Sequence, residues 1–220
     1  MTEINISKNQ ELYKLVCGKN HITSLNLKGN RSLLELDCPY NDLVMLDICD
    51  NINLKWLHCS NNKLSSINIS NNKDLKWLYV ANNRISSIDL LYNTKIEKLD
   101  CSYNLLRELN VPNNKELKDL NCSNNHIFDL DISENSHLSF FDCDFNQINK
   151  LDLANNKNLR GLWCNHNRIT SLDLSCNKFL ECVFCSDNPL QTLVISSEQK
   201  NKSWLCNIIS EYPKLRLIVK

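Results

Sequence analysis

A single period runs through the sequence: 21 residues, nine in-phase copies, from Leu12 to Lys200. Counting each copy from Leu12, Leu33, Leu54 and their equivalents, position 4 is Leu in seven copies and Phe141 or Val183 in the others. Position 6 is Cys in eight, from Cys17 to Cys185, and Val80 in the ninth. Position 9 is Asn in all nine, from Asn20 to Asn188. Position 19 is Asn in eight, from Asn30 to Asn177, and Glu198 in the last. Positions 11, 14 and 16 hold only Leu, Ile or Val, and a half copy with Ile4, Ile6 and Asn9 comes first. A chain built this way covers its apolar residues only by stacking each copy on its neighbours.

Local physics follows from the spacing. Positions 4 and 6 are two apart, the strand period, so both side chains point to one side. Parallel strands stack about 4.8 Å apart, so nine coils make a rod or shallow arc roughly 40 Å long. The position 9 Asn follows the strand, where the chain must turn although it has only three glycines. Its amide can bond the backbone of its own coil and of the next. The second half of each copy repeats the same pattern, which predicts short extended segments on both faces and little helix. Past Ser197 the pattern stops. Trp204, Leu205, Ile208 and Ile209 show helical spacing within 198–211, with Ser196 or Ser197 as N-cap and Pro213 as terminator. Lys214 to Val219 alternates as a last strand. The expected organisation is one domain: a half-repeat cap at 1–11, nine repeats at 12–200 and a helix–strand cap at 201–220.

The template LxxLxCxxNxLxxLxLxxNxx resembles the leucine-rich repeat family over residues 4–199. It is most similar to the 21-residue bacterial subclass with a nested period, and to leucine-rich-repeat effectors of intracellular bacterial pathogens. The resemblance implies a right-handed solenoid with a parallel β-sheet on its concave face, short extended or turn segments on the other face, and little helix except a C-terminal cap.

Composition narrows the function. Lys plus Arg equals Asp plus Glu at 25 each, which argues against a nucleic-acid binder. The three glycines form no phosphate-binding loop. The first residues lack the charge and apolar run of a secretory signal, and no stretch approaches the length of a membrane span. In-register thiols on parallel strands point the same way, not at each other, so the cysteine ladder is read as free thiols serving as small hydrophobes. Val80 in the same slot agrees. Cys182 and Cys185 fall on diverging positions, against a redox or zinc pair. Free thiols at this density point to a reducing compartment: a cytoplasm, or a host cytosol entered through a secretion machine that requires no cleaved signal. No metal or cofactor is expected.

The two faces differ. Outward positions 13, 15 and 17 carry mostly Ser, Asn and Asp. Outward positions 3, 5 and 8 amount to 27 residues and hold nine of the 16 aromatics, where an even spread would put about two. They fall into two groups: Tyr40, Trp56, His58, Trp77 and Tyr79; and Phe140, Phe145, Trp163, His166 and Phe184, with Tyr103 between. Asp100, Asp119, Asp142 and Asp144 form an acidic strip between the groups. The three rows carry six acids and three bases, a net −3. Lysines and arginines at turns, such as Lys55, Lys73, Lys115 and Arg160, are expected to compensate. Exposed aromatics in number mark contact surfaces.

No HExxH, GxSxG or paired metal spacing is present. His166 with Asp142 or Asp144, and His58 with Asp37, are acid–His pairs that surface chance supplies. Related effectors that act as ubiquitin ligases carry a separate catalytic domain, for which this chain is too short. The expected role is therefore a non-catalytic interaction module, a bacterial effector or regulator. It would bind, and block, a host protein or another bacterial protein with a basic or mixed protruding element, being itself a monomer. A glycan-binding or adhesive protein is the alternative, since aromatic platforms flanked by Asp and Asn also suit sugars.

Overall fold

The computed structural model describes residues 1–220. Every copy contributes one three-residue strand from positions 3 to 5. These are β1 (Lys14–Val16), β2 (Glu35–Asp37), β3 (Trp56–His58), β4 (Trp77–Tyr79), β5 (Lys98–Asp100), β6 (Asp119–Asn121), β7 (Phe140–Asp142), β8 (Gly161–Trp163) and β10 (Cys182–Phe184). They form one nine-stranded parallel sheet in chain order. Equivalent positions pair without slippage, as in Trp56 with Trp77 and Asp100 with Asn121. The position 4 side chain of each strand is buried and its neighbours face outward. Behind the sheet one apolar cluster of 57 buried residues runs from Ile6 to Ile208. The fold is a parallel-strand solenoid with very little helix.

Two asparagine ladders hold the turns. At position 9, Asn104 Oδ1 accepts from the Ile85 amide at 3.0 Å. Its Nδ2 donates to Val80 O on the preceding coil and to Cys101 O and Ser102 O on its own. At position 19, Asn93 Nδ2 donates to Ile69 O and Asn72 O, both at 2.9 Å. The Oδ1 atoms of this second ladder are buried without a protein partner in all eight copies. All twelve cysteines are free. Burial pushes the Cys17 thiol up to about 11 and the Cys59 thiol up to about 12.

The second face pairs into a β-ladder only at one end. β9 (Ser171–Asp173), β11 (Thr192–Ile195) and β12 (Arg216–Val219) form a parallel sheet in the order β12–β11–β9. A ladder forms on this side where the terminal strand lies alongside. Elsewhere the position 15 side chain organises the turn: Asp89 Oδ1 accepts from the Leu91 amide and Asp131 Oδ1 from the Ser133 amide.

The expected helix over 198–211 is split. Ser197–Gln199 is a single 3₁₀ turn, and the helix proper, α1, spans Ser203–Glu211. Gln199 causes the break. Its Oε1 accepts from the Ser196 amide, while its Nε2 donates to Leu174 O and Asn177 O. That is the position 19 pattern of the ninth coil, executed one residue late. Trp204, Leu205 and Ile208 of α1 are buried against the last coil; Ile209 is exposed.

Candidate functional site: an aromatic and acidic sheet face

The strand rows carry the candidate residues. Positions 3 and 5 of adjacent strands stand side by side, so the sheet register builds two rows. One reads Trp56, Trp77, Lys98, Asp119, Phe140 and Gly161. The other reads His58, Tyr79, Asp100, Asn121, Asp142, Trp163 and Phe184, the last two facing across β8 and β10.

The first aromatic group is a contact network. Trp56 and Trp77 meet edge to face at 5.3 Å between centroids. Tyr79 lies 6.2 Å from Trp56 and 5.6 Å from His58. The network half-buries both tryptophans, and their indole N–H groups have no acceptor. Treating them as fully outward therefore overstates their exposure, and part of their area supports the sheet itself. His58 Nδ1 sits 2.9 Å from Asp37 Oδ1, as the sequence suggested.

The second group divides. Trp163 stacks on Phe184 at 6.2 Å. Gly161, two residues before Trp163, is what lets that ring lie down. A Cβ at Gly161 would stand 2.5 Å from Trp163 Cη2 and 3.0 Å from Phe140 Cδ1. Sequence reasoning missed this; the signal was a glycine in a row otherwise filled by large side chains, two residues from a tryptophan. Phe145 and His166 stack separately at 4.0 Å. His166 Nε2 pairs with Asp187 at 3.2 Å, not with Asp142 or Asp144. Both partners occupy position 8 of adjacent coils, a row the acid–His pairing overlooked. Tyr40 and Tyr103 are exposed and stand apart from both groups.

Position 8 has a feature the sequence hid. All nine of its residues, including Tyr40, Tyr103, Phe145 and His166, have positive φ between 51° and 56°. Asn and Asp accept this backbone readily, whereas aromatic residues there are strained. The turn is fixed by the asparagine ladder that follows, so it imposes its conformation on whatever occupies the slot.

Only Asp119 of the acidic strip is compensated by a cation. Lys14 pairs with Glu35 and Lys98 with Asp119 across the sheet. Of the turn cations expected to balance the face, Lys115 binds Glu134 and Arg160 binds Glu181, both at 2.8 Å, and Lys73 lies over the Tyr92 ring. Asp100 and Asp142 pair with no cation. Burial, then the nearby Asp144 and Asp100 carboxylates, pushes Asp142 up to about 6. Asp144 accepts from the Asn165 amide at 2.6 Å and from its side chain at 2.9 Å. Between the aromatic groups lies a depression of about 240 Å³. Tyr79 and Trp163 bound it, Asp100, Asn121 and Asp142 line it, and Phe140 with the Lys98–Asp119 pair flanks it. No three His, Cys, Asp or Glu side chains come together in a metal-holding group. No helix is long and apolar enough to cross a membrane.

Fold and ladders together make a leucine-rich repeat solenoid, and comparison with solved structures agrees. The functional domain of InlJ from Listeria monocytogenes, described as including a cysteine ladder, matches 100% of this chain at 27% identity and a TM-score of 0.78. The chain spans 56% of that structure's length. The internalin InlF of the same organism matches 97% of the chain at 20% identity and TM-score 0.79, with 68% of its own length covered. The ectodomain of the Arabidopsis thaliana receptor kinase GASSHO1/SCHENGEN3, solved with CASPARIAN STRIP INTEGRITY FACTOR 2, matches 99% at 21% identity and TM-score 0.80, with 28% of its length covered. No family model and no curated protein matches the sequence.

Proposed function

We propose that the chain is a non-catalytic protein-interaction module of a bacterial effector or regulator. It binds a partner protein along the nine-stranded sheet and blocks the partner's surface. The observation that carries this reading is the one-sided distribution of aromatics: nine of 16 lie on 27 outward positions of one face. Phe140, Phe145 and Phe184 remain 45–49% exposed, and Tyr40 and Tyr103 exceed 50%. Surface of this kind is costly to leave in water and is what contact hot spots are made of. The plant ectodomain, whose structure was solved as a complex, lends the fold-level precedent.

The test is affinity capture from bacterial and host lysates with the full chain and two sets of variants. Trp163→Ala with Phe184→Ala should lose a partner that the parent protein retains, by thirtyfold or more in affinity. Ser87→Trp and Asp152→Ala, on the second face, should retain it. A partner lost with the second set and kept with the first would overturn the reading.

A further inference from the structure

The depression between the aromatic groups has a chemistry narrower than the face around it. We propose that it receives an arginine side chain of the partner, an inference that rests on the sheet face being the binding surface. Three observations converge. First, its size, about 240 Å³, suits one side chain rather than a folded element. Second, beside an apolar floor of Leu99, Leu120 and Phe141 it presents two carboxylates that pair with no cation. Asp100 Oδ1 is held by the Ser102 amide and hydroxyl, and Asp142 Oδ1 by the Asp144 amide. The second oxygen of each carboxylate has no bond within the chain. The two residues flank Asn121 in the position 5 row, so they sit two strands apart, about 10 Å at ordinary sheet spacing.

Third, the walls are flat and aromatic. Tyr79 and Trp163 close the two ends and Phe140 the side. A guanidinium is planar, stacks on aromatic faces and presents five donors in a fork that matches carboxylate oxygens. An ammonium is a compact, strongly hydrated point charge that uses neither the flat walls nor two separated carboxylates. Lys98, the one cation at the rim, is already committed to Asp119. Burial at Asp142 works in the same direction, because a carboxylate held out of water gains most from an incoming cation. Gly161 is the positioning residue here, since a side chain in its place would collide with the Trp163 ring.

The probe is N-acetyl-arginine methylamide, titrated against the full ¹⁵N-labelled chain and followed by NMR. Its lysine and citrulline counterparts are the controls; citrulline keeps the shape of arginine without the charge. The Trp163 indole N–H and the Asn121 side-chain amide should shift saturably, at least tenfold tighter for arginine than for either control. Asp100→Asn and Asp142→Asn should each weaken the arginine amide at least fivefold. Both keep an Oδ1 for the bond that holds the turn, so folding is preserved. Equal response to the lysine amide, shifts spread over the whole surface, or indifference to both Asn variants would overturn the proposal. Loss of capture by the Trp163 and Phe184 variants with no arginine response would remove the arginine site and leave the binding face standing. Capture insensitive to those variants would remove the binding face itself.

Discussion

At the scale of the residue, neighbours in one turn carry opposite burdens. Asn104 makes four hydrogen bonds to buried backbone, so Asn104→Ala should cost roughly 3 kcal/mol in a denaturant melt. From exposure alone Asn61→Ala should be silent, but its φ of 56° changes that. Alanine there should cost about 1–2 kcal/mol, and glycine close to nothing. By the same logic Tyr103→Asn should raise stability by about 1 kcal/mol, because it relieves a left-handed tyrosine. Equal losses for alanine and glycine at Asn61 would refute the strain argument. Asp142 gives the pH dependence. Its carboxyl titrates near 6 when folded and near 3.8 when unfolded, so the folded chain holds the extra proton between those values. The stability this proton confers is complete below about pH 4 and is lost as pH rises through 6. Asp142→Asn should therefore melt higher than the parent at pH 7.5, with the gap closing near pH 4.

At the scale of the element, the ladders were legible and the turns were not. Cys and Leu two apart, repeated at every coil, leave one arrangement for the sheet, because a one-residue slip would turn the core row outward. Position 8 mixes Asn61, Asn82, Asn124 and Asp187 with Lys19, Tyr40, Tyr103, Phe145 and His166, so its left-handed backbone left only a partial trace in composition. The candidate site was legible to the same degree. Same-position aromatics on adjacent coils, such as Trp56 and Trp77, do touch. For the ring of Trp163 lying over Gly161 the sequence held only the glycine two residues away, and the side-chain rotation itself is set by packing. The helix start was missed because Gln199 serves the ladder rather than α1. The cysteine ladder sets its own expectation. Cys176 and Cys206 are exposed, Cys49 and Cys182 partly so, and the other eight are buried. A thiol reagent at pH 8 should label the first two rapidly and the next two slowly. The remaining eight should react only on unfolding, bringing the total to twelve. Cys122→Ser should cost roughly 1–3 kcal/mol, since a buried hydroxyl finds no partner designed for it.

At the scale of the whole molecule, stability passes from coil to coil. Surface ion pairs follow the stacking direction, with Glu97 between Lys76 and Lys118 as the fullest case. The C-terminal cap imitates the coil that would come next. Gln199 completes the ninth coil's position 19 pattern, and the Tyr212 hydroxyl donates to Cys185 O at 2.8 Å, as a position 9 amide would, and accepts from the Asn188 amide at 3.1 Å, as a position 8 carbonyl would. Tyr212→Phe should speed amide exchange in the last two coils and leave β1 to β4 unchanged. A uniform loss of protection would mean that the solenoid unfolds as one cooperative unit. Because the cap offers what any coil offers, the number of coils behind it is free to vary, and the face becomes a ruler graduated in strand spacings. Removing residues 102–122 would excise β6 and one whole period, bringing Asp100 beside Asp142 and drawing Tyr79 about 5 Å closer to Trp163. On such a ruler a change of partner requires no new fold, only a different count between two marks.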